Sequence, residues 1–278
     1  MSCPVSELAA FFDVDKTMVD SRGNLYAGLG AALNPMARQF AMTSVTARGY
    51  PRYLEATMQH PQLRSTPGMP IALENGGRIV DSELTRNLEY HPLSGDALTA
   101  IADFIADAPP MRYVGFHSKT LRARTQMWSP DIGEVARINA EWSHNAKPFT
   151  GTIDDLFSRM REHAPCLVIA RLATGVPENL PPGITAYSHG STVNFVPESV
   201  NKGVAAQAIA GRLSLALSDV LYAGNDYNDL PALSLPGLGC PVAVGPDITP
   251  AMLETLPPNT VHLPDQNQLA GFLIERFS

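Results

Sequence analysis

A short apolar run that ends in two aspartates and a threonine constrains this chain more than any other feature. The run Leu8–Phe12 leads directly into Asp13-Val14-Asp15-Lys16-Thr17. An uninterrupted apolar run of this length is typical of a strand buried in a parallel sheet, and ligands bind beyond the carboxyl ends of such strands. Two neighbouring carboxylates repel each other there. We therefore expect a metal cation that offsets the repulsion, with one carboxylate acting as nucleophile and the other carrying protons.

The composition is that of an ordinary globular protein and excludes one class of partner. The 278 residues suffice for one large domain or two smaller ones. Hydrophobic residues make up 45% of the chain and charged residues 17%, as in globular proteins generally. The net charge of −7 argues against general nucleic-acid binding. It does not argue against an anionic substrate, because one bound metal ion locally outweighs a diffuse surface charge.

Cysteine usage and the N-terminus favour the cytoplasm. Cys3, Cys166 and Cys240 are odd in number and scattered, with neither disulfide nor metal-ligand spacing, so we interpret them as idle thiols in a reducing compartment. The segment Met1–Pro4 lacks the basic and apolar stretches of a secretory signal. No apolar run approaches the roughly 20 residues that span a bilayer. We expect a cytoplasmic protein without a membrane partner, either a monomer or a small homo-oligomer.

Two later segments repeat the pattern of a short apolar strand followed by polar residues. The segment Phe40–Val45 predicts a second strand, and Thr46 and Arg48 follow it. The segment Pro70–Leu73 predicts a third strand, which runs into Glu74-Asn75-Gly76-Gly77. An Asn-Gly pair is by itself a turn signal. The hairpin strand that follows, at residues 78–80, leads into a region of different character.

The last third of the chain contains an acidic loop and an unusually placed lysine. The segment Asp219–Ala223 predicts a strand that ends in Gly224-Asn225-Asp226-Tyr227-Asn228-Asp229, ahead of an apolar helix. A strand, an acidic loop and a helix suit Mg²⁺, because hard cations prefer oxygen ligands. Upstream, Lys202 falls in the first turn of a helix predicted to continue to Leu217. The positive end of a helix dipole disfavours a lysine there, which favours a functional role for its ammonium group.

These segments resemble, in order, the four motifs of haloacid dehalogenase (HAD) phosphatases. Asp13–Thr17 matches the first motif, Asp-x-Asp-x-Thr, and Thr46 matches the second, with Thr43 and Ser44 as alternatives. Lys202 matches the third motif, and the loop Gly224–Asp229 resembles the fourth, Gly-Asp-x-x-Asn-Asp. The Glu-Asn-Gly-Gly segment at 74–77 resembles a Glu-Asn-Gly-Ala segment of the Cof-type (IIB) branch, whose members include sucrose-phosphatase-like and other sugar phosphatases.

The resemblance implies an α/β fold with a HAD-like Rossmannoid core, built on a parallel sheet, and an inserted α+β cap of the C2 type. Residues 1–81 and 189–278 would form the catalytic core, and residues 82–188 would form the cap that sets substrate specificity. Mixed helices and alternating strands in the middle segment agree with an α+β layer that has one exposed sheet face. Candidate substrate contacts in the cap, each also open to interpretation as an ordinary surface residue, are His117, Arg122, Arg124 and Lys147. Trp128 and Trp142 are interpreted as packing residues.

The resemblance also implies a phosphatase that uses Mg²⁺ to hydrolyse a small phosphorylated metabolite, in particular a sugar phosphate. Asp13 would be the nucleophile that forms an aspartyl-phosphate, and Asp15 would be the general acid and base. The implied metal ligands are Asp13, the backbone carbonyl of Asp15, Asn225 and Asp229. The implied phosphate-binding residues are Thr46, Lys202 and Asn228. The implied substrate-binding residues are Arg48, Glu74, Asn75 and Gly76.

Two residues depart from the family pattern and leave alternatives open. Asn225 stands where the fourth motif has an aspartate, so either Asn225 binds magnesium more weakly or Asp226 takes the role. Lys16 stands where many relatives have glycine, and is either solvated or in contact with substrate. One alternative function is a phosphomutase of the phosphomannomutase type. The other, motivated by Asn225, is a catalytically impaired binding or regulatory protein derived from this family.

Overall fold

The computed structural model describes residues 9–107, 111–121, 123–142, 146–172 and 180–277. Cys3 and Arg122 lie outside these residues. In this part of the chain the strands are β1 (Ala9–Phe12), β2 (Ala41–Ser44), β3 (Ile71–Leu73), β4 (Arg78–Val80), β5 (Asn87–Tyr90), β6 (Tyr113–Phe116), β7 (Gln126–Trp128), β8 (Lys147–Pro148), β9 (Val168–Arg171), β10 (Ile184–His189), β11 (Thr192–Pro197), β12 (Val220–Gly224), β13 (Cys240–Val244) and β14 (Val261–Leu263). The α-helices there are α1 (Leu29–Gln39), α2 (Tyr50–Gln59), α3 (Gly95–Asp107), α4 (Ile132–Trp142), α5 (Ile153–His163), α6 (Lys202–Arg212), α7 (Leu230–Leu233), α8 (Pro250–Thr255) and α9 (Gln268–Phe277).

The chain divides into two compact units. The larger unit contains Met1–Arg48, Tyr53–Leu88 and Asn201–Ser278, and the smaller contains Gly49–Arg52 and Glu89–Val200. The chain enters the smaller unit after Leu88 and leaves it after Val200, seven and twelve residues later than the changes at 81/82 and 188/189 predicted from the sequence.

There is a physical reason why both boundaries between the units lie later in the chain than predicted. Leu88 packs against the hydrophobic core of the larger unit, so the chain leaves that unit after Leu88. Strand β11 was expected to return to the core, but it pairs with β10 and β9 in the sheet of the smaller unit. Alternation of polar and apolar residues shows that a strand is half-buried and does not show which sheet it joins.

A five-stranded parallel sheet forms the centre of the larger unit, in the order β14-β13-β12-β1-β2. Strand β1 lies between β12 and β2, with Phe12 opposite Ala223 on one side and Ser44 on the other. All four residues of β1 are buried, as its uniformly apolar sequence predicts for a central strand. The predicted parallel α/β sheet is thus confirmed. Strand β13 pairs in parallel with β14, which forms one edge of the sheet.

Helices pack against this sheet. On one face, side chains of α6 and α7 pack with alternate residues of β1 and β12, including Phe11 and Tyr222. Helices α1 and α9 pack against each other, and the rings of Phe40 and Phe277 meet at 4.6 Å between centroids. Helix α1 continues through Pro35 to Gln39. Helix α6 ends at Arg212, before the predicted Leu217, because the chain turns at Ser214 with a positive φ of 55°.

Strands β3 and β4 form a hairpin beside the parallel sheet. Val45 bridges to Ala72 of β3 in parallel, and β3 pairs antiparallel with β4, as the sequence predicts. This arrangement places the Glu74–Gly76 turn next to the residues that follow β2.

The smaller unit is an α+β layer. Its six-stranded sheet has the order β10-β11-β9-β6-β7-β8. Helices α3 and α5 pack on one face, against residues such as Phe116 and Phe195. Helix α4 packs on the other face, where Val135 and Ile138 meet Tyr113, so that face is partly covered rather than fully exposed. Across the described residues, no helix is long and apolar enough to cross a membrane.

Candidate active site

The carboxyl ends of three neighbouring strands meet at the edge of the parallel sheet in the larger unit. Asp13 follows β1, and its N–H donates to the carbonyl oxygen of Ala223 in β12 at 2.9 Å. Asn225 follows β12 directly, and Thr46 comes two residues after β2 ends. The Asp13, Thr46 and Asn225 side chains are all buried. The predicted convergence of the first, second and fourth motifs thus arises from strand order alone.

The third motif reaches the same place from a helix. Helix α6 begins at Lys202, and the side chain of Asn201 caps it by accepting a hydrogen bond from the N–H of Val204. Lys202 Nζ lies 2.8 Å from Asp13 Oδ1 and 2.8 Å from Asp229 Oδ1. The lysine side chain is 1% exposed. One buried ammonium is therefore shared by two buried carboxylates.

Burial and the shared ammonium shift the pKa values of Asp13 and Lys202. Burial, with smaller contributions from Asp229 and Asp15, raises the pKa of Asp13 to about 7, although Lys202 opposes the rise. Burial also works against the charge of Lys202, but the two carboxylates outweigh it and raise the lysine pKa above its ordinary value. The lysine gains two partners, whereas each carboxylate gains only a share of one. When Asp13 is ionised, two carboxylates share one ammonium, and a cation would neutralise the remaining negative charge.

Asp229 is surrounded by donors. Its Oδ1 accepts from Lys202 Nζ at 2.8 Å and from the Tyr222 hydroxyl at 2.7 Å. Its Oδ2 accepts from the backbone N–H groups of Asn225 at 3.1 Å and Asp226 at 3.2 Å. Asp229, expected as a metal ligand, thus joins the lysine to the loop after β12. Gly224 permits this approach, because a Cβ there would lie 2.4 Å from the Asp229 carboxyl carbon.

Asp15 is held by Arg48 in a two-pronged ion pair. Arg48 Nε donates to Asp15 Oδ2 at 2.9 Å, and its terminal nitrogen donates to Oδ1 at 2.7 Å. The arginine side chain is 9% exposed and the aspartate 46% exposed. Burial lowers the pKa of Arg48, but the hydrogen bonds and charge of Asp15 outweigh burial and raise it. Arg48, expected to bind substrate, contacts the expected acid and base in this structure.

The oxygens beside Asn225 fit a divalent cation. One corner of the Asn225 amide lies 3.1 Å from Asp13 Oδ2, 2.8 Å from the Asp15 carbonyl oxygen and 3.0 Å from Thr17 Oγ1. Neighbouring ligands of an octahedral Mg²⁺ with bonds of about 2.1 Å are about 2.9 Å apart. With the amide oxygen at that corner, it lies at such a spacing from a carboxylate oxygen of Asp13 and from the carbonyl oxygen of Asp15. The residues therefore fit Mg²⁺.

The structure bears on the choice between Asn225 and Asp226. The Asn225 side chain faces Asp13 and Asp15, whereas Asp226 Oδ1 accepts from the backbone N–H of Tyr227 at 2.6 Å. Among the described residues, no three His, Cys, Asp or Glu side chains are grouped as a metal site. That result is expected for a donor set with a single side-chain carboxylate.

The Glu74–Gly76 turn is fully buried and strained. Glu74, Asn75 and Gly76 have φ values of 57°, 57° and 96° in succession. Gly76 is required twice over, by its φ and because a Cβ there would lie 2.8 Å from the carbonyl oxygen of Asn201. Glu74 lies 3.4 Å from the buried guanidinium of Arg78. Strain of this kind persists only where surrounding contacts enforce it.

The same turn links the other motifs. The N–H of Asn75 donates to the carbonyl oxygen of Thr46 at 3.0 Å, and that of Glu74 to the carbonyl oxygen of Arg48 at 3.0 Å. Asn75 Oδ1 accepts from Asn228 Nδ2 at 3.1 Å. Glu74 and Asn75, expected to bind substrate, are thus placed where they connect the second motif to the fourth.

The remaining expected residues are placed as follows. Thr46 Oγ1 accepts from the N–H of Arg48 at 3.2 Å, so its own hydroxyl hydrogen can be donated elsewhere. Lys16 has a φ of 57°, which explains why glycine suits this position, and its Nζ donates to Asp247 Oδ2 at 2.8 Å. In the smaller unit, His117 is buried, and Arg124 and Lys147 are exposed. Trp128 packs against the core there, and the Trp142 side chain lies outside the described part of the chain.

Sequence reasoning missed three residues that support the site: Thr17, Tyr222 and Arg78. Thr17 is part of the first motif, and its hydroxyl lies 3.0 Å from Asn225 Oδ1. A tyrosine inside a buried apolar strand needs a partner for its hydroxyl, so the position of Tyr222 was a usable signal. Arg78 lies in the short strand β4, and nothing in the sequence indicated that Glu74 is its partner.

Comparisons with known proteins bear on the family and the fold. A model of the haloacid dehalogenase-like hydrolase family matches residues 10–253. A structure of a haloacid dehalogenase-like hydrolase from Bacteroides thetaiotaomicron is similar with a TM-score of 0.72 and 13% identity, over 98% of this chain and 100% of that one. A phosphatase of the same superfamily from that species has a TM-score of 0.72 and 14% identity, over 98% and 95%. A HAD subclass IIB sugar phosphatase has a TM-score of 0.73 and 14% identity, over 97% and 98%.

One curated relative matches over a short segment. The stress response protein YhaX of Bacillus subtilis (strain 168) is 42% identical over 53 residues. These residues are 19% of this chain and 18% of that protein. The aligned part therefore spans about a fifth of the length of YhaX.

Proposed function

Because the chain belongs to the haloacid dehalogenase-like hydrolase family, we propose that it is a Mg²⁺-dependent phosphatase of small phosphate monoesters. The observation that carries the proposal is the position of Asp13. Its buried carboxylate lies at the end of β1, 2.8 Å from the Lys202 ammonium and beside the oxygens of Asp15 and Asn225. A buried carboxylate with a cationic neighbour and a cation donor set is arranged for nucleophilic attack on a phosphoryl group.

Asp13 and Asp15 divide the chemistry between them. An oxygen of Asp13 attacks phosphorus, the bond from phosphorus to the leaving oxygen breaks, and an aspartyl-phosphate remains. Asp15 gives its proton to the leaving oxygen, then takes a proton from the water that attacks the aspartyl-phosphate. Hydrolysis releases inorganic phosphate and restores Asp13. Asp13, the Asp15 carbonyl and Asn225 would hold Mg²⁺, whose positive charge would reduce the repulsion between the nucleophile and the phosphate dianion.

The Arg48–Asp15 pair sets a condition on the proton transfer. An arginine fork stabilises a carboxylate rather than a carboxylic acid, so Asp15 must loosen this pair before it can carry a proton to the leaving group. A phosphorylated substrate offers Arg48 another anion to pair with. Arg48 thereby acts first on Asp15 and then on substrate, in keeping with its expected substrate-binding role.

Three residues hold the phosphoryl oxygens, and four others hold the parts of the site together. Thr46 donates its hydroxyl hydrogen to a phosphoryl oxygen, Lys202 contributes its positive charge, and Asn228 donates from the same loop as Asn225. Asp229, with four donors on its two oxygens, positions Lys202 and the loop instead of binding the cation directly. Glu74, Asn75 and Gly76 fix the relative positions of the second and fourth motifs.

The substrate class we propose is a sugar phosphate. Support comes from the resemblance to the IIB branch and from the structural likeness to a IIB sugar phosphatase over nearly the whole length of both chains.

The test is turnover of p-nitrophenyl phosphate and of a panel of phosphorylated metabolites, with Mg²⁺ and with EDTA. The wild-type protein should release inorganic phosphate only with Mg²⁺, and the Asp13→Asn variant should release none. A folded wild-type protein that hydrolyses no phosphate monoester with Mg²⁺ would overturn the proposal. Formation of an isomeric hexose phosphate without phosphate release would identify a phosphomutase instead.

Asn225 supports one competing function, a catalytically impaired protein that binds a phosphorylated ligand. If Asn225→Asp raised turnover by orders of magnitude, the native site would be shown to be impaired. We expect a modest change, because the amide oxygen can ligate the same cation.

A further inference from the structure

The surroundings of the Asn225 amide suit its nitrogen at the inner corner of the site, and suit its oxygen there only when a cation is bound. With the oxygen at the inner corner, Thr17 Oγ1 donates to it at 3.0 Å, while Asp13 Oδ2 and the Asp15 carbonyl oxygen are acceptors that face it. With the amide turned by 180°, the nitrogen occupies that corner. It then donates to Asp13 Oδ2 at 3.1 Å and to the Asp15 carbonyl oxygen at 2.8 Å.

The two orientations match two states of the site. Oxygen inward brings three ligand oxygens together and is favourable only with a cation between them, because bare oxygens at this spacing repel. Nitrogen inward satisfies the buried acceptors of Asp13 and Asp15 with hydrogen bonds and needs no cation. An aspartate at this position has no side-chain N–H group, so it could stabilise only the cation-bound state.

We propose that the side-chain amide of Asn225 rotates by 180° when the divalent cation binds. The nitrogen faces Asp13 and Asp15 in the metal-free protein, and the oxygen faces the cation in the loaded protein. The proposal rests on the magnesium site of the proposed function and extends it. Asn225 thereby sets the cation affinity: it stabilises the metal-free site, and it brings no charge to the loaded one. The protein should accordingly bind Mg²⁺ reversibly and respond to its free concentration.

The direct test is the side-chain amide signal of Asn225 in ¹H–¹⁵N spectra of the full chain. The signal is assigned by its loss in Asn225→Asp. In EDTA its hydrogens should be protected from exchange, because they are bonded to two buried acceptors. Saturation with Mg²⁺ should shift the signal and reduce that protection.

A second measurement separates the effect of losing the Asn225 amide from the effect of adding a negative charge to the protein. Mg²⁺ binding is measured by calorimetry, and thermal unfolding is followed with EDTA and with saturating Mg²⁺. The variants are Asn225→Asp and, as matched control, Asn259→Asp, which adds the same charge at an exposed position of the larger unit. Asn225→Asp should bind Mg²⁺ at least about tenfold more tightly, since affinity follows ligand charge. Its Tm in EDTA should fall by several degrees, whereas Asn259→Asp should match the wild type in both respects.

The outcomes distinguish this inference from the function beneath it. If Mg²⁺ binds the wild-type protein but the Asn225 signal neither shifts nor loses protection, the inference is overturned and the phosphatase proposal stands. If Asn225→Asp is as stable in EDTA as the wild type, the stabilising role of the nitrogen is overturned in the same way. If neither the wild-type protein nor Asn225→Asp binds Mg²⁺, both the inference and the metal-dependent function fail.

Discussion

Replacing Asp13 by asparagine should remove a pH dependence of stability that the metal-free protein carries. Asp13 is buried and shares the Lys202 ammonium with Asp229. Burial raises its pKa from 3.8 to about 7 in the folded state, against the opposing effect of Lys202. Between about pH 4 and about pH 7, the folded protein therefore holds a proton that the unfolded chain has lost. The free energy of unfolding falls as pH rises through that range.

The size of the effect follows from the two pKa values. With 3.8 in the unfolded chain and about 7 in the folded one, Asp13 lowers the free energy of unfolding by about 2.5 kcal/mol between about pH 5 and about pH 8. In a unit of this size the loss corresponds to a fall in Tm of about 5–10 °C. Asparagine has nearly the same shape and does not ionise. Asp13→Asn should therefore escape this loss and exceed the wild-type Tm at the alkaline end.

The assay is thermal unfolding in EDTA across this pH range, for the wild type, Asp13→Asn and Glu254→Gln. Glu254 is an exposed carboxyl in the same unit, so its variant should follow the wild-type curve. The Tm of Asp13→Asn minus that of the wild type should rise by several degrees from the acidic to the alkaline end. Parallel curves for these two proteins would refute the assignment of a raised pKa to Asp13. Saturating Mg²⁺ should recover much of the wild-type loss.

Three further substitutions test separate parts of the site. Asp15→Asn should abolish turnover of p-nitrophenyl phosphate while the circular dichroism spectrum stays unchanged, because this half-exposed carboxyl is held by Arg48 and not by the core; a near-normal kcat would remove it as acid and base. Tyr222→Phe deletes a buried hydroxyl that donates to Asp229 and should cost about 1.5–3 kcal/mol in urea unfolding, so an unchanged midpoint would show that this hydrogen bond contributes nothing. Glu74→Ala removes the carboxylate beside the buried Arg78 guanidinium and should cost about 3–5 kcal/mol, part of which an added Arg78→Leu should recover; a loss below about 1 kcal/mol would contradict the buried pair.

The meeting of the four motifs could be predicted because parallel strands share one edge. Asp13 and Asn225 each follow a short apolar run, and Lys202 opens a helix that returns to the same sheet. Strand order, which the family resemblance supplies, then places them together. The family match and the similar structures confirm the predicted HAD-like core with an inserted α+β unit.

The partners of individual side chains could not be predicted in the same way. Arg48 and Asp15 are 33 positions apart, and no local pattern shows that they pair. Asp229 carries the motif of a metal ligand, but its neighbours depend on how closely Gly224 lets the chain approach. Strand β14 is short and only partly buried, so its apolar pattern is too weak to identify it as the edge strand of the sheet. Pairings of this kind are set by tertiary packing and not by local sequence.

The central claim is that Asp13 takes up the phosphoryl group. The measurement that tests it most directly is to quench the protein in acid during turnover with Mg²⁺, reduce it with borohydride and analyse its peptides by mass spectrometry. Reduction of an aspartyl-phosphate yields homoserine, so the account predicts homoserine in place of aspartate at position 13, and no such product from Asp13→Asn. Steady release of phosphate with position 13 unmodified, or with the modification on another residue, would contradict the account.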